Sequence, residues 1–246
     1  MDKKNKGAVL FDCWSTLITF EAKRDDWNTL TLERHCVNRS AVDFKEVHLF
    51  AQDFFRRCYF SMSPYEIQIG QLLSLVVLLF DIKLDCPLEV CTHEILTNLS
   101  PKPVEKVSSF LKALEEKEIP YAILSNTVYD DAETFAIVKR LLPGHAFRFF
   151  LGSATVGVKK PNKLFFDAGL HLLEKRSEET VYVGDSFLAD VNGSFHAGFA
   201  RSYWLNLDRK NPLAFRSFLD DFSSIRYSEI KSYDEMIDLL EKGELF

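Results

Sequence analysis

Four polar clusters hold the side chains with which this chain could do covalent chemistry. Asp12 and Thr16 follow the apolar run Ala8-Val9-Leu10-Phe11, and Ser125-Asn126 follows Tyr121-Ala122-Ile123-Leu124. Lys159-Lys160 stands before Pro161, and Asp185 and Asp190 follow Val181-Tyr182-Val183-Gly184. An ionised carboxylate at the end of a strand can attack an electrophilic centre, splitting one hard step into two through a covalent ester or acyl-phosphate. Asp12 is placed for that role. Transfer of a phosphoryl group also requires its equatorial oxygens to be neutralised. The hydroxyls of Thr16 and Ser125, the amide of Asn126 and the ammonium of Lys160 are suitable donors. Each residue has a plainer reading when taken singly. Asp12 could cap a turn and Ser125-Asn126 a helix, while Asp190 could be an ordinary acidic residue near a helix start, where negative charge is favourable.

These clusters need a framework that brings them together. The apolar runs before Asp12, Ser125 and Asp185 are short and continuous, the pattern of parallel strands covered on both faces. Phe147-Arg148-Phe149-Phe150-Leu151 and Tyr203-Trp204-Leu205 read as two more strands. Amphipathic segments at helical spacing alternate with them, from Val104 to Lys117, Ala132 to Leu142, Lys163 to Leu173 and Phe187 to Ala197. Strand and helix in alternation predict an α/β fold with a doubly wound parallel sheet. In such sheets ligands bind beyond the carboxyl ends of the strands, where strand order switches. Between about Phe20 and Ser100 the alternation gives way to helical patterns. The expected organisation is therefore an α/β core over residues 1–19 and 101–246, with an inserted helical cap over 20–100. Pro101 and Pro103 mark the return to the core, because a residue preceding proline is pushed away from helical dihedrals. Leu72 to Phe80, the longest apolar stretch, falls short of the roughly 18 residues a bilayer span requires and is expected to be a buried helix.

The sequence Phe11-Asp12-Cys13-Trp14-Ser15-Thr16 resembles the first motif of the haloacid dehalogenase-like superfamily, an apolar strand followed by Asp-x-Asp-x-Thr. Leu124-Ser125-Asn126, Gly157-Val158-Lys159-Lys160-Pro161 and Gly184-Asp185-Ser186 through Asp190-Val191 resemble the second, third and fourth motifs, in the same order. The resemblance implies a Rossmann-like core with a cap, and Asp12 as nucleophile. It selects Lys160, immediately before proline, as the motif lysine and leaves Lys159 solvated. It also implies a Mg²⁺ cofactor held by Asp12, the backbone carbonyl of Trp14 and Asp185, with Asp190 in support. Mg²⁺ keeps several waters in a near-octahedral oxygen shell, so two carboxylates and a carbonyl suffice.

One position departs from the pattern. Trp14 stands where phosphatases of the family place a second aspartate, which protonates the leaving alkoxide and later activates water. That assistance is typically worth about 10²–10⁴ in rate. Dehalogenases of the superfamily tolerate an aromatic residue there, since halide leaves without a proton, but they usually lack an acidic residue where Asp185 stands. They also rely on a cap arginine. Arg34, Arg39, Arg56 and Arg57 are candidates, although each is also consistent with a solvated helix face. Lys45, the one lysine in the middle of the cap, has no pattern suggesting imine chemistry. Three readings stay open: a Mg²⁺-dependent phosphohydrolase or phosphotransferase acting on a small phosphorylated metabolite through an aspartyl-phosphate, a 2-haloacid dehalogenase-type hydrolase, and a catalytically impaired binding or regulatory domain.

Composition narrows the partners. An apolar fraction of 47% and a charged fraction of 27% are those of an ordinary globular protein. A net charge of −6 gives no basic footprint for nucleic acid, so a small-molecule substrate is expected. The basic Met1–Lys6 run precedes too short an apolar segment for a signal peptide. With no membrane span, the expected location is the cytoplasm, and oligomeric state is not readable. Cys13, Cys36, Cys58, Cys86 and Cys91 show no paired C-x-x-C zinc spacing and read as free or buried thiols in a reducing compartment. The histidines, such as His35, His48 and His93, show no paired metal spacing either. Cys13, pointing away from Asp12 by strand alternation, is expected to pack. Phe54, Phe55, Phe149 and Phe150 are expected to pack as well.

Overall fold

The computed structural model describes residues 7–20, 27–59 and 63–246. The Met1–Lys6 run lies outside the described residues. The chain opens with β1 (Ala8–Phe11), whose four residues are all buried, and the short β2 (Ile18–Thr19). Four helices follow: α1 (Trp27–His35), α2 (Phe44–Tyr59), α3 (Ile69–Leu79) and α4 (Leu88–Thr97). The two-residue β3 (Lys102–Pro103) pairs antiparallel with β2, so the two connections flanking these helices run side by side.

The strand and helix alternation then resumes with α5 (Val107–Glu116), β4 (Tyr121–Ser125), α6 (Asp131–Leu141), β5 (Phe150–Gly152), α7 (Ser153–Val156) and α8 (Lys163–Leu173). The starts of α6 and α8 are fixed by side-chain caps. Asp130 accepts a hydrogen bond from the Glu133 amide and Asn162 from the Leu164 amide. β6 (Thr180–Gly184) leads into a π-helical turn over Phe187–Val191, continued by α9 (Asn192–His196). β7 (Arg201–Leu205), β8 (Ser228–Ile230) and α10 (Tyr233–Lys242) complete the chain.

The main sheet has the order β5-β4-β1-β6-β7-β8, with every pairing parallel. From β1 the chain winds to β4 and β5 on one side, then to β6, β7 and β8 on the other. The switch in strand order falls at β1. Side-chain alternation separates two cores. Val9, Phe11 and Cys13 face a cluster with Phe110 and Leu114 of α5, Val138 of α6 and Met236 of α10. Ala8, Leu10 and Tyr182 face Phe166 and Leu170 of α8. The sheet is thus covered on both faces, as its apolar strands predict.

The structure revises several details. The strand expected from Phe147 begins at Phe150, and the helix expected over Phe187 to Ala197 is a π turn joined to a short α-helix. β8 and α10 have no counterpart in the sequence reading. In α3 only Ile69, Leu72, Leu73 and Val76 are buried, at the spacing of a single helical face, whereas Leu78 and Leu79 are 78% and 58% exposed. The apolar run therefore outlasts the buried stripe, and α3 is not buried all round.

Trp204 ties the far side of the sheet to the end of β6. Its ring is fully buried among Phe187, Phe215 and Tyr227, and its Nε1 donates to the Asp185 carbonyl at 2.9 Å. Trp204→Ala removes both the packing and that bond. It should lower stability by about 3–5 kcal/mol, measured by chemical denaturation, with Trp204→Phe costing clearly less.

Candidate active site

Asp12 sits one residue beyond β1, its amide donating to the Val183 carbonyl at 2.9 Å, so the carboxylate emerges at the strand-order switch. The chain then turns sharply. The amides of Leu17 and Ile18 return to the Cys13 carbonyl, and Ser15 adopts a left-handed φ of 60°. This turn buries Thr16, whose Oγ1 has no hydrogen-bond partner among the described residues. The Thr16 carbonyl accepts a bond of 3.0 Å from the hydroxyl of Tyr233, so α10 supports the turn.

Lys160 is the hub. Its Nζ lies 2.7 Å from Asp12 Oδ1, 2.6 Å from Asp190 Oδ1 and 2.8 Å from the Tyr182 hydroxyl. The Tyr182 hydroxyl in turn donates to the Leu124 carbonyl. Ser125 Oγ donates to the same Asp12 oxygen at 3.2 Å. Asn126 does not face Asp12 through its amide. Instead it clasps the backbone of Lys160, accepting from the amide at 2.8 Å and donating to the carbonyl at 3.0 Å. Asp190 is fixed on its second oxygen by the Ser186 amide at 2.9 Å. The π turn makes this possible by carrying Asp190 back over the end of β6. Gly184 leaves the space required, for a Cβ there would stand 2.3 Å from Asp190 Cγ.

Lys159 is not solvated, contrary to expectation. It is 4% exposed, and its Nζ donates to the Cys58 carbonyl at 2.9 Å. Lys160 enters the sheet end, whereas Lys159 reaches the end of α2. Trp14 is half-buried, its ring edge-on to Phe20 at 5.3 Å and to Tyr129 at 6.1 Å. Cys13 packs in the core, where burial holds its thiol well above the ordinary range. Arg34 pairs with Glu94, Arg39 with Glu33, and Arg56 and Arg57 with Asp53, all four on exposed side chains. Lys45 is exposed.

Charge is unevenly matched here. Asp12, Asp185 and Asp190 each offer an oxygen within 4.8 Å of the others. Burial raises Asp12 to about 6 against the opposing pull of Lys160. Burial, and then the charges of Asp12 and Asp190, raise Asp185 to about 8. Burial also opposes the charge on Lys160, but Asp12 and Asp190 outweigh it and hold the ammonium protonated well above its usual range. The one buried ammonium thus pairs with Asp12 and Asp190 and leaves Asp185 unpaired by it. A set of hard oxygen donors with surplus negative charge fits a Mg²⁺ ion. A cavity of about 370 Å³ opens beside Asp185, with Ser15, Thr19, Lys102, Asn206 and Lys210 in its wall. A second cavity, of about 330 Å³, is lined by Gln68, Tyr129 and Glu133 and contains none of the candidate residues.

Sequence reasoning missed Tyr182, Tyr233 and Trp204, and it named Gly184 within its motif without seeing that the glycine makes room for Asp190. Tyr182 alone carried a usable signal, since a tyrosine inside an otherwise apolar strand has a hydroxyl that must find a partner.

Comparison with known proteins agrees with this architecture. Residues 6–198 match the family model described as haloacid dehalogenase-like hydrolase, and the chain belongs to that family. Its fold is similar to that of a HAD phosphatase from Thermococcus onnurineus, at a TM-score of 0.64 and 19% identity over 95% of this chain and 97% of that one. It is similar to a 2-haloacid dehalogenase from Pseudomonas syringae pv. Tomato DC3000, with a TM-score of 0.64 and 17% identity over 97% and 99%. It is also similar to the putative HAD-hydrolase YfnB from Bacillus subtilis, determined bound to magnesium, with a TM-score of 0.58 and 20% identity over 96% and 99%. A search of curated proteins finds no match.

The raised pKa of Asp185 has a consequence for stability. Between its ordinary 3.8 and about 8, the metal-free folded chain holds a proton on Asp185 that the unfolded chain has released. Stability must then fall as pH rises through that window. Chemical denaturation in the presence of a chelator should show this decline, and Asp185→Asn should flatten it by an amount on the order of a few kcal/mol. A wild-type and Asp185→Asn difference that does not change with pH would contradict the assignment.

Proposed function

We propose that this hydrolase is a Mg²⁺-dependent phosphohydrolase or phosphotransferase acting on a small phosphorylated metabolite, with Asp12 as nucleophile. The observation that carries this reading is the cluster of Asp12, Asp185 and Asp190, whose oxygens lie within 4.8 Å of one another while only Asp12 and Asp190 are paired with an ammonium, that of Lys160. Asp12, Asp185 and the Trp14 carbonyl would hold Mg²⁺, which when bound would neutralise charge on the substrate phosphate. Asp12 attacks phosphorus while the bond to the leaving oxygen breaks, giving an aspartyl-phosphate. Water then attacks that phosphorus, releasing phosphate and restoring the carboxylate. Lys160 orients Asp12, and Ser125 and Thr16 offer hydroxyls to the transferred group. Asp190 holds Lys160 in place. The helical insertion over about 20–100 acts as a cap, and Lys102 and Lys210 suit the adjoining cavity to an anionic substrate. No described helix is long and apolar enough to cross a membrane. This reading places the enzyme in the cytoplasm.

Dehalogenase-type hydrolysis at carbon is the second reading, favoured by an aromatic residue, Trp14, two positions after Asp12, packed on Phe20 and Tyr129. The exposed, carboxylate-paired positions of Arg34, Arg39, Arg56 and Arg57 weigh against it.

Indole cannot protonate a departing alkoxide. Aryl phosphates should therefore be hydrolysed at least about 100-fold faster than alkyl phosphates, because that proton is typically worth about 10²–10⁴ in rate. Activity should require Mg²⁺ and vanish in Asp12→Asn. Assays of p-nitrophenyl phosphate, an alkyl phosphate and 2-chloropropionate, each with and without Mg²⁺, decide the matter. Metal-independent halide release, with no phosphate release, would favour the second reading. Equal aryl and alkyl rates, with chemistry rate-limiting, would mean that another residue supplies the proton.

A further inference from the structure

The insertion contains a second cluster of metal-ligating side chains on elements that carry none of the Asp12 constellation. His35 closes α1, Asp85 and Cys86 precede α4, and Cys91 lies within it. His35, Asp85 and Cys86 each present a ligand atom within 4.8 Å of the others. The sulfurs of Cys86 and Cys91 are 3.9 Å apart. Two thiolates on one tetrahedral Zn²⁺, at Zn–S distances of about 2.3 Å, are separated by about 3.8 Å. None of this is visible as a local sequence motif, because the histidine and the cysteines come from opposite ends of the insertion.

The supporting contacts have the form a metal site requires. His35 Nδ1 faces Asp85 Oδ1 at 2.8 Å, and its Nε2 faces Glu94 Oε1 at 3.1 Å. With Nδ1 on a metal, Nε2–H would donate to Glu94, the outer carboxylate that commonly fixes a histidine ligand. Glu94 is itself paired with Arg34 at 3.0 Å. The backbone holds the two segments in register without any metal. The Asp85 amide donates to the His35 carbonyl at 3.0 Å and the Val37 amide to the Lys83 carbonyl at 2.8 Å. Asn38 bridges the same segments, donating to the Asp81 carbonyl at 2.8 Å and accepting from the Lys83 amide at 2.9 Å. His35, Asp85 and Cys86 are therefore gathered in advance, with Cys91 reached through its sulfur contact with Cys86, and borderline-soft sulfur and nitrogen with one carboxylate select Zn²⁺ over Mg²⁺.

We propose that His35, Asp85, Cys86 and Cys91 form a structural zinc site that pins the end of α1 to the start of α4, with Glu94 as its outer carboxylate. Binding displaces the protons of both thiols, so affinity rises with pH. The test is titration of the reduced, chelator-treated full-length protein with Co²⁺, a spectroscopic substitute for Zn²⁺. One equivalent should give the near-ultraviolet thiolate-to-cobalt charge-transfer band and the intense visible bands of a tetrahedral site, and Zn²⁺ should bleach both. Asp12→Asn should keep them, which separates this site from the active centre. Cys86→Ser and Cys91→Ser should each weaken Zn²⁺ binding at least about tenfold, since losing even an outer partner typically costs 10–100-fold. Where those variants fail to fold, alkylation of the wild type supplies the readout. Zn²⁺ should protect Cys86 and Cys91, located by peptide mass spectrometry, and leave the reactivity of Cys36 and Cys58 unchanged. Absence of the charge-transfer band in the wild type overturns the proposal. So does a band that survives undiminished in both serine variants, or protection confined to other cysteines.

Discussion

The site is organised around a single buried ammonium. Lys160 touches Asp12, Asp190 and Tyr182, and through them it joins the ends of β1 and β6 to the π turn. Both carboxylates are buried with it, and removing one partner of such a pair typically costs about 3–5 kcal/mol because a charge is left uncompensated. The position of Lys160 is accordingly fixed from several directions. Asn126 holds its backbone on both sides, and the Tyr182 hydroxyl receives its third contact while donating to the Leu124 carbonyl. These restraints come from three different strand ends, so the electrostatics of the site depend on correct register across the centre of the sheet.

Register in turn depends on small spatial allowances. Leu10 pairs with Tyr182, which places Asp12 on the same face as Tyr182 and beside Gly184. Only glycine at 184 lets the Asp190 carboxylate lie over the strand end. The π turn supplies the other half of that fit, because its wider loop brings the Val191 amide to the Ser186 carbonyl and the Asp190 carboxylate to the Ser186 amide. Such turns often occur at functional sites. The packing of Trp204 behind this turn gives it a rigid backing.

Where the chain is strongly periodic, its architecture can be read from sequence. The apolar strands β1, β4 and β6 and the helix Lys163–Leu173 stand where the pattern puts them, and three of the four polar clusters follow strand ends. What escaped was structure made by tertiary contact. β8 is three residues long and half-exposed, so it lacks the apolar run that marks a central strand. The π turn differs from an α-helix by a single hydrogen-bond shift, which hydrophobic spacing does not encode. Lys159 and Lys160 are chemically identical in sequence, and only their tertiary contacts distinguish the one at the sheet end from the one that reaches α2. The His35 cluster is similarly silent, since 50 residues separate His35 from Asp85.

Trp14 is the position at which the site departs from the family's first motif. A carboxylate at that position would add a further negative charge to a cluster in which burial and mutual repulsion already raise Asp12 and Asp185. The indole adds none. It packs against Phe20 and Tyr129 instead. The same substitution removes the residue that would protonate a basic leaving group. On the proposed reading, a nucleophile with no acid at that position suits substrates whose leaving group departs as a stable anion. A phenolate, a carboxylate or a halide would each satisfy that condition, and an alkoxide would not. The phosphohydrolase and dehalogenase readings therefore share one physical requirement, and they differ in whether the attacked centre is phosphorus or carbon. That choice rests with the charge balance around Asp185. Attack at carbon has no need of a third carboxylate beside Asp12, whereas neutralising a phosphate with a cation does, and this structure keeps Asp185 there with its backbone carbonyl anchored by Trp204.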